Sequence, residues 1–171
     1  MSRARDLADS ADLNFDDGTL VIDSGNNRVG IGTASPDTAL HVYDSSQNGV
    51  ALFESGDSDT YISLKDSNTS GQWYYNRIGV AGDDLYFYTY NSEAARIDSS
   101  GNLHIGKTAT NFAVTGATLK NEGSVQFTRD GGQVALFNRL TSDGTILDLR
   151  KDGTTVGSIG VGANDLIIGA D

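Results

Sequence analysis

The sequence predicts an all-β chain. Three observations carry this: helical periodicity is almost absent, short apolar-alternating runs follow one another from Thr19 onward, and turn pairs separate them. The pairs are Asp17-Gly18, Ser24-Gly25, Asn48-Gly49, Ser70-Gly71, Ser100-Gly101, Asp130-Gly131, Asp143-Gly144 and Asp152-Gly153. Glycine accepts a positive φ and Asn or Asp tolerates it, so such pairs close tight hairpins.

Taken in order, the one helix candidate is Arg3 to Ala11, with Leu7, Ala8 and Ala11 near one face. It is short, and isolated helices below about 12 residues are marginal in water. It is expected to order on a partner or to fray. Thr60 to Lys65 (TYISLK) sets Ile62 and Leu64 on one face of a strand. Leu85 to Tyr90 (LYFYTY) alternates strictly, with Tyr86, Tyr88 and Tyr90 on one face and Leu85 and Phe87 on the other. Thr145 to Arg150 (TILDLR) places Leu147 and Leu149 together, opposite Ile146, Asp148 and Arg150.

The chain also repeats itself, and the blocks keep their order. Ile22-Asp23-Ser24 returns as Ile97-Asp98-Ser99, and Val29-Gly30-Ile31-Gly32 is echoed by Leu103-His104-Ile105-Gly106. Ala51-Leu52-Phe53 recurs as Ala135-Leu136-Phe137. Ile62-Ser63-Leu64 is echoed by Leu147-Asp148-Leu149, Arg77-Ile78-Gly79-Val80 by Ser158-Ile159-Gly160-Val161, and Asp84-Leu85 by Asp165-Leu166. Two tandem Gly-rich β modules, 19–93 and 94–171, follow from this, after an N-terminal segment 1–18. The spacing between copies drifts, which points to variable loops on a fixed scaffold.

Composition bounds the function. Lys and Arg number 12 against 23 Asp and Glu, a net charge of −11. Nucleic acid and anionic membrane surfaces both need clustered cations, so neither is an expected partner. No run approaches the roughly 20 apolar residues of a membrane helix, and MSRARDLADSADLN lacks the apolar core of a signal peptide. There is no cysteine, hence no disulfide framework and no thiolate chemistry. Leu, Ile, Val and Phe make up only 40 of 171 residues, while glycine makes up 21. So thin an apolar supply suits a chain that completes its core by association.

The motifs carry little catalytic chemistry. Gly101 to Thr108 (GNLHIGKT) matches the phosphate-loop pattern, but that loop needs a following helix, and ATNFAVTG after it is β-branched and ends in glycine. A Gly-punctuated strand is the expectation. His41 and His104 each sit between apolar neighbours. One histidine per chain on a threefold axis would offer three nitrogens to a metal; a surface or hydrogen-bonded strand histidine is the preferred reading, and neither a metal nor a cofactor is expected. Asp57, Asp59, Asp83 and Asp84 read as turn and surface carboxylates, with no pair singled out for glycoside hydrolysis. Asp57-x-Asp59 is too short a cue for calcium. No G-x-S-x-G elbow occurs. Trp73, Tyr86, Tyr88 and Tyr90 are the candidate receptor or glycan contacts, because exposed aromatic faces stack on sugars. Intersubunit packing is the plainer use of the same rings.

Arg28 to Pro36 (RVGIGTASP), followed by Ala39-Leu40-His41-Val42, resembles the VGIGT-SP…LHV signature of tail-fibre and tailspike-like proteins of tailed bacteriophages. SRARDLAD resembles the N-termini of marine phage structural proteins. Phe137 to Gly160 resembles the fibre segment that often precedes a C-terminal intramolecular chaperone domain, a domain this sequence does not carry. The resemblance implies an elongated homotrimeric fibre of the virion, non-enzymatic, docked on other virion proteins through its N-terminal segment. It further implies a host-cell glycan or protein as the distal partner. A glycan-binding receptor-binding protein, a polysaccharide depolymerase, and placement on capsid or neck are the alternatives. Ile31, Val42, Leu52, Phe53, Ile105, Leu136 and Phe137 are the expected shared trimer core.

Overall fold

The structure is a computed structural model that describes residues 12–15, as backbone only, and 19–169. The helix candidate Arg3 to Ala11 lies outside the described residues. All regular structure among the described residues is strand, in three sheets. The chain divides into two units, Met1–Gly56 and Asp57–Asp171.

The first unit holds β1 (Asp12–Phe15), β2 (Leu20–Asp23), β3 (Arg28–Ile31) and β4 (Leu40–Val42), in that order across a four-stranded sheet. β1, β2 and β3 are antiparallel, whereas β3 and β4 run parallel. β1 falls inside the segment 1–18 that the sequence set apart as an attachment region.

The second unit holds two sheets. The seven-stranded sheet comprises β5 (Asp59–Ser63), β6 (Arg77–Ala81), β7 (Asp84–Thr89), β8 (Ser92–Ile97), β9 (Leu103–Ile105), β10 (Gly116–Leu119) and β11 (Val125–Thr128), each beside the next and all antiparallel. The three-stranded sheet comprises β12 (Gly144–Lys151), β13 (Thr154–Gly162) and β14 (Asp165–Gly169), a plain meander.

The turns explain the meanders. Asp152-Gly153, foreseen as a turn pair, links β12 to β13 with φ of 50° and 81°. Tyr90-Asn91 (48°, 59°) and Ala163-Asn164 (54°, 70°) do the same for β7–β8 and β13–β14 without any glycine. Two adjacent residues of positive φ give the twist that matches flanking antiparallel strands. Asn48-Gly49 and Asp130-Gly131, also expected to close hairpins, lie in irregular stretches, the second of them just after β11, and join no pair of strands; Asp17-Gly18 lies outside the described residues.

Several of the repeated blocks occupy corresponding strands, while Ala51-Leu52-Phe53 and Ala135-Leu136-Phe137 both lie in irregular stretches. Ile62, Ile78 and Phe87 stand opposite one another across β5–β7, as Leu147, Ile159 and Ile168 do across β12–β14. The sheets are nonetheless out of phase with the repeat. The expected boundary at 93/94 falls inside β8, because the Tyr90-Asn91 hairpin continues the ladder from the end of one repeat into the start of the next.

A close approach fixes glycine at equivalent points. A Cβ on Gly79 would sit 2.4 Å from the Thr60 carbonyl oxygen and 2.6 Å from the Tyr86 hydroxyl; one on Gly160 would sit 2.6 Å from the Gly144 carbonyl oxygen. Both glycines lie in the middle strand of their three-strand block.

Burial is sparse. Among the described residues, Val21 and Tyr86 are the buried hydrophobic side chains, and His104, Lys107 and Thr118 the buried polar ones.

Candidate functional site: the two faces of the seven-stranded sheet

Residues directly opposite on neighbouring strands point to the same face, and side chains alternate along each strand. The register therefore sorts the seven-stranded sheet into two faces of contrasting chemistry.

One face is apolar from edge to edge. Its first row runs Ile62, Ile78, Phe87, Ala95, Ile105, Ala117, Phe127. Its second runs Thr60, Val80, Leu85, Ile97, Leu103, Leu119, Val125. Thr60 is the single polar member. Ile62, Ile78, Val80, Ile97, Ile105, Leu119, Val125 and Phe127 are all exposed. Monomeric soluble proteins rarely expose apolar patches of this extent.

The opposite face is polar, and the buried side chains of the sheet lie on it. Tyr86 donates its hydroxyl to Asp59 and is only 2% exposed. Burial first, and then the Asp59 bond, pushes the Tyr86 phenol up to about 12. The Arg77 guanidinium lies 4.0 Å from the Tyr88 ring centre and 5.0 Å from that of Tyr61, while its Nη1 donates to the Tyr74 carbonyl. Arg96 forms a two-pronged bond to Glu93 at 2.8 and 2.7 Å and reaches Asp84 with its other nitrogen. These carboxylates, Glu93 foremost, hold the guanidinium firmly protonated, against the opposing pull of burial.

At the far side of this face His104 is fully buried. Its Nδ1 lies 3.0 Å from Thr118 Oγ1 and its Nε2 2.9 Å from Asp98 Oδ2. Both ring nitrogens thus have a partner within hydrogen-bond distance. Asp98 also accepts from the Asn102 side chain and from the backbone of Ser100 and Asn102. The Asn102 amide above all, and then His104, hold the Asp98 carboxyl well below the usual carboxylate range.

The four aromatic candidates do not form one face. Tyr86 departs from the expectation of an exposed stacking ring: its bond to Asp59 and its neighbours across β6 and β8 bury it. Tyr88 is half-buried against Tyr86, 5.0 Å between ring centres, and against Arg77. Tyr90 has left the ladder for the β7–β8 turn and is 70% exposed. It closes a chain of rings running Tyr61, Trp73, Tyr74, Tyr75, Tyr90, with centres 6.2, 5.6, 5.3 and 5.3 Å apart. Trp73 is 58% exposed. The accessible aromatic surface is thus built on Trp73 and Tyr90.

The expected core residues divide by position. Ile31 and Val42 lie at the ends of β3 and β4, and Ile105 in the apolar face. Leu52, Phe53, Leu136 and Phe137 lie in two irregular stretches, and all four are exposed.

Lys107, the cation of the phosphate-loop match, is buried and donates to the Asn111 carbonyl at 3.3 Å. The strand β9 lies inside the matched motif and no helix follows it, so the match has none of the geometry of a phosphate cradle. His41 is partly exposed and accepts from the Asp37 backbone at 3.3 Å.

The Arg96 cluster and the Asp98–His104–Thr118 array were not singled out as a site in sequence. Asp98 and His104 belong to repeated blocks, but their contact joins a turn to the strand that follows it, and Thr118 comes from a strand further on.

In comparisons with known proteins, no family model, no curated protein and no solved structure matches the chain.

Proposed function

We propose that the chain is a non-enzymatic structural fibre protein of a tailed-bacteriophage virion. It works as a homotrimer, is held to other virion proteins through its N-terminal segment, and contributes to host adsorption. The observation that carries the reading is the apolar face of the seven-stranded sheet, two rows wide and exposed.

Sparse burial supports association: among the described residues Val21 and Tyr86 are the buried hydrophobic side chains, while Leu52 and Leu136 of the irregular stretches are 82% and 75% exposed. Three chains that pool such faces around one axis complete a core none of them holds alone, so folding and assembly are coupled. The RVGIGTASP…LHV resemblance supports the fibre class, and three copies make weak distal contacts add up as avidity.

Light scattering on the size-separated full chain tests this. A mass near three times 18.0 kDa is expected, and a folded species of one chain mass overturns the threefold reading.

A second reading, direct glycan binding, draws on the exposed Trp73 and Tyr90 at the accessible points of the ring chain. Trp73→Ala with Tyr90→Ala should lower glycan-array binding about tenfold or more while the assembled mass stays unchanged, since base or sugar stacking on one ring contributes ~1 kcal/mol or more. Unchanged array binding overturns it.

A further inference from the structure

The outer edge of β14 is unlike the other edge of its own sheet. β12 carries Asp148, Arg150 and Lys151 and two register shifts, devices that keep an edge from recruiting another strand. β14 carries one charge, Asp165 at its first residue, and no register shift, and Leu166, Ile167 and Ile168 are 71%, 51% and 75% exposed. An exposed apolar edge of this kind is a template for a further strand.

The repeat identifies the strand. β14 corresponds to β7 position by position: Val161 faces Leu166 as Val80 faces Leu85, and Ile159 faces Ile168 as Ile78 faces Phe87. The far edge of β7 is filled by β8, where Leu85 faces Ile97 of the Ile-Asp-Ser block. The other strand carrying that block is β2, where Ile22 faces Leu13 of β1. β1 reads Asp12-Leu13-Asn14-Phe15, the same Asp-Leu-x-apolar pattern as Asp84-Leu85-Tyr86-Phe87 and Asp165-Leu166-Ile167-Ile168. So β1, β7 and β14 are three versions of one strand, and β2 and β8 two versions of its partner.

We infer that the edge of β14, unpaired among the described residues, is a docking site for β2 of a second copy of this chain, in the place that β1 holds. β1 offers four residues to β2 and carries Asn14, whereas β14 offers five with isoleucine at the matching position. The contact is heterologous, so its repetition closes a ring or runs on as a filament according to the rotation between copies. It rests on strand pairing and does not depend on the threefold reading.

The register makes the test specific. Leu166 is placed directly opposite Ile22 of the second copy, at a cross-strand distance suited to a disulfide. The chain has no cysteine of its own. Full-length Leu166→Cys and Ile22→Cys chains, mixed and mildly oxidised, should give a cross-linked pair in about tenfold higher yield than Leu149→Cys mixed with Ile22→Cys, because the guarded β12 edge does not pair. Adding Ile167→Lys, which charges the face opposite the apolar rows, should remove most of that yield. Leu13→Pro, which weakens the competing β1, should raise it several-fold. A yield no higher than the β12 control overturns the inference, as does a yield indifferent to both substitutions. If Ile167→Lys does not fold, Leu13→Pro decides alone. A three-chain mass without the cross-link overturns this inference and leaves the fibre reading standing; the cross-link from a one-chain starting species supports it and overturns the threefold reading.

Discussion

The hairpin β2–β3 and the hairpin β8–β9 share a sequence block, and they part company most at the central pair, Val21 opposite Gly30 in one and Arg96 opposite His104 in the other. Ile22 faces Val29 as Ile97 faces Leu103, and Leu20 faces Ile31 as Ala95 faces Ile105. An aspartate ties each turn, Asp23 through Asn26 and Asp98 through Asn102. Each hairpin is followed by a left-handed glycine, Gly32 at 72° and Gly106 at 70°. The next strand then runs parallel in one unit and antiparallel in the other. At the centre stands Gly30 in the first copy and His104 in the second. A Cβ on Gly30 would meet the Thr33 carbonyl oxygen at 2.4 Å, because the chain folds straight back over it. At His104 the returning strand instead brings Thr118 opposite, and the imidazole is enclosed between Thr118 and Asp98. Even so, each sheet has a histidine at this crossing, since His41 of β4 faces Gly30. The local block makes the hairpin; the direction of the next strand decides whether its centre must be empty or can hold a polar anchor.

The largest expected effect comes from emptying the second centre. His104→Ala leaves the buried Thr118 hydroxyl without its partner and opens a void, at a cost of about 2–4 kcal/mol in denaturant unfolding. Filling the first centre should cost less: Gly30→Ala forces the 33 carbonyl outward, about 1–3 kcal/mol. If the Gly30 substitution is neutral while His104→Ala is severe, the back-folded turn is softer than the contact distance implies. Equal and small effects would break the comparison, because neither centre would then hold its sheet.

A smaller effect is read by pH, and Asp23 in the first copy is lowered in the same direction by its Asn26 bond. The Asp98 carboxyl is depressed in the folded state, so the unfolded chain binds more protons as the medium is acidified. Its stabilisation is therefore complete above the unfolded value of about 3.9 and is lost as pH falls from there toward the lower folded value. Asp98→Asn keeps the shape, costs about 1 kcal/mol at neutral pH and should flatten the acid limb of the unfolding midpoint. An acid limb as steep in Asp98→Asn as in the parent would assign that pH dependence to other carboxylates.

Much of the fold was legible because it rests on short-range pattern. Strict alternation in LYFYTY and TILDLR reports a two-residue period directly, and both segments are strands. Several of the similar sequence blocks lie at matching ladder positions, Ile62, Ile78 and Phe87 as Leu147, Ile159 and Ile168. Three things were not legible. The Tyr90-Asn91 and Ala163-Asn164 hairpins carry no glycine, so asparagine is their single residue signature and Tyr90 and Ala163 give none. The sheet joining one repeat to the next follows from the first of them. Tyr86 was expected on an accessible face, because alternation says which residues share a face and nothing about which face is covered.

The division of labour is physical. Composition and alternation, both properties of neighbours along the chain, by themselves determined an all-β protein with segregated faces and too little apolar substance to bury a full core. The tertiary structure alone decided strand direction after each left-handed glycine, the continuity of β5 to β11 through a repeat boundary, and the burial of Tyr86, His104 and Thr118 on the polar face while the apolar rows stay exposed. Those outcomes depend on partners distant in sequence, and a period of two residues carries no information about them.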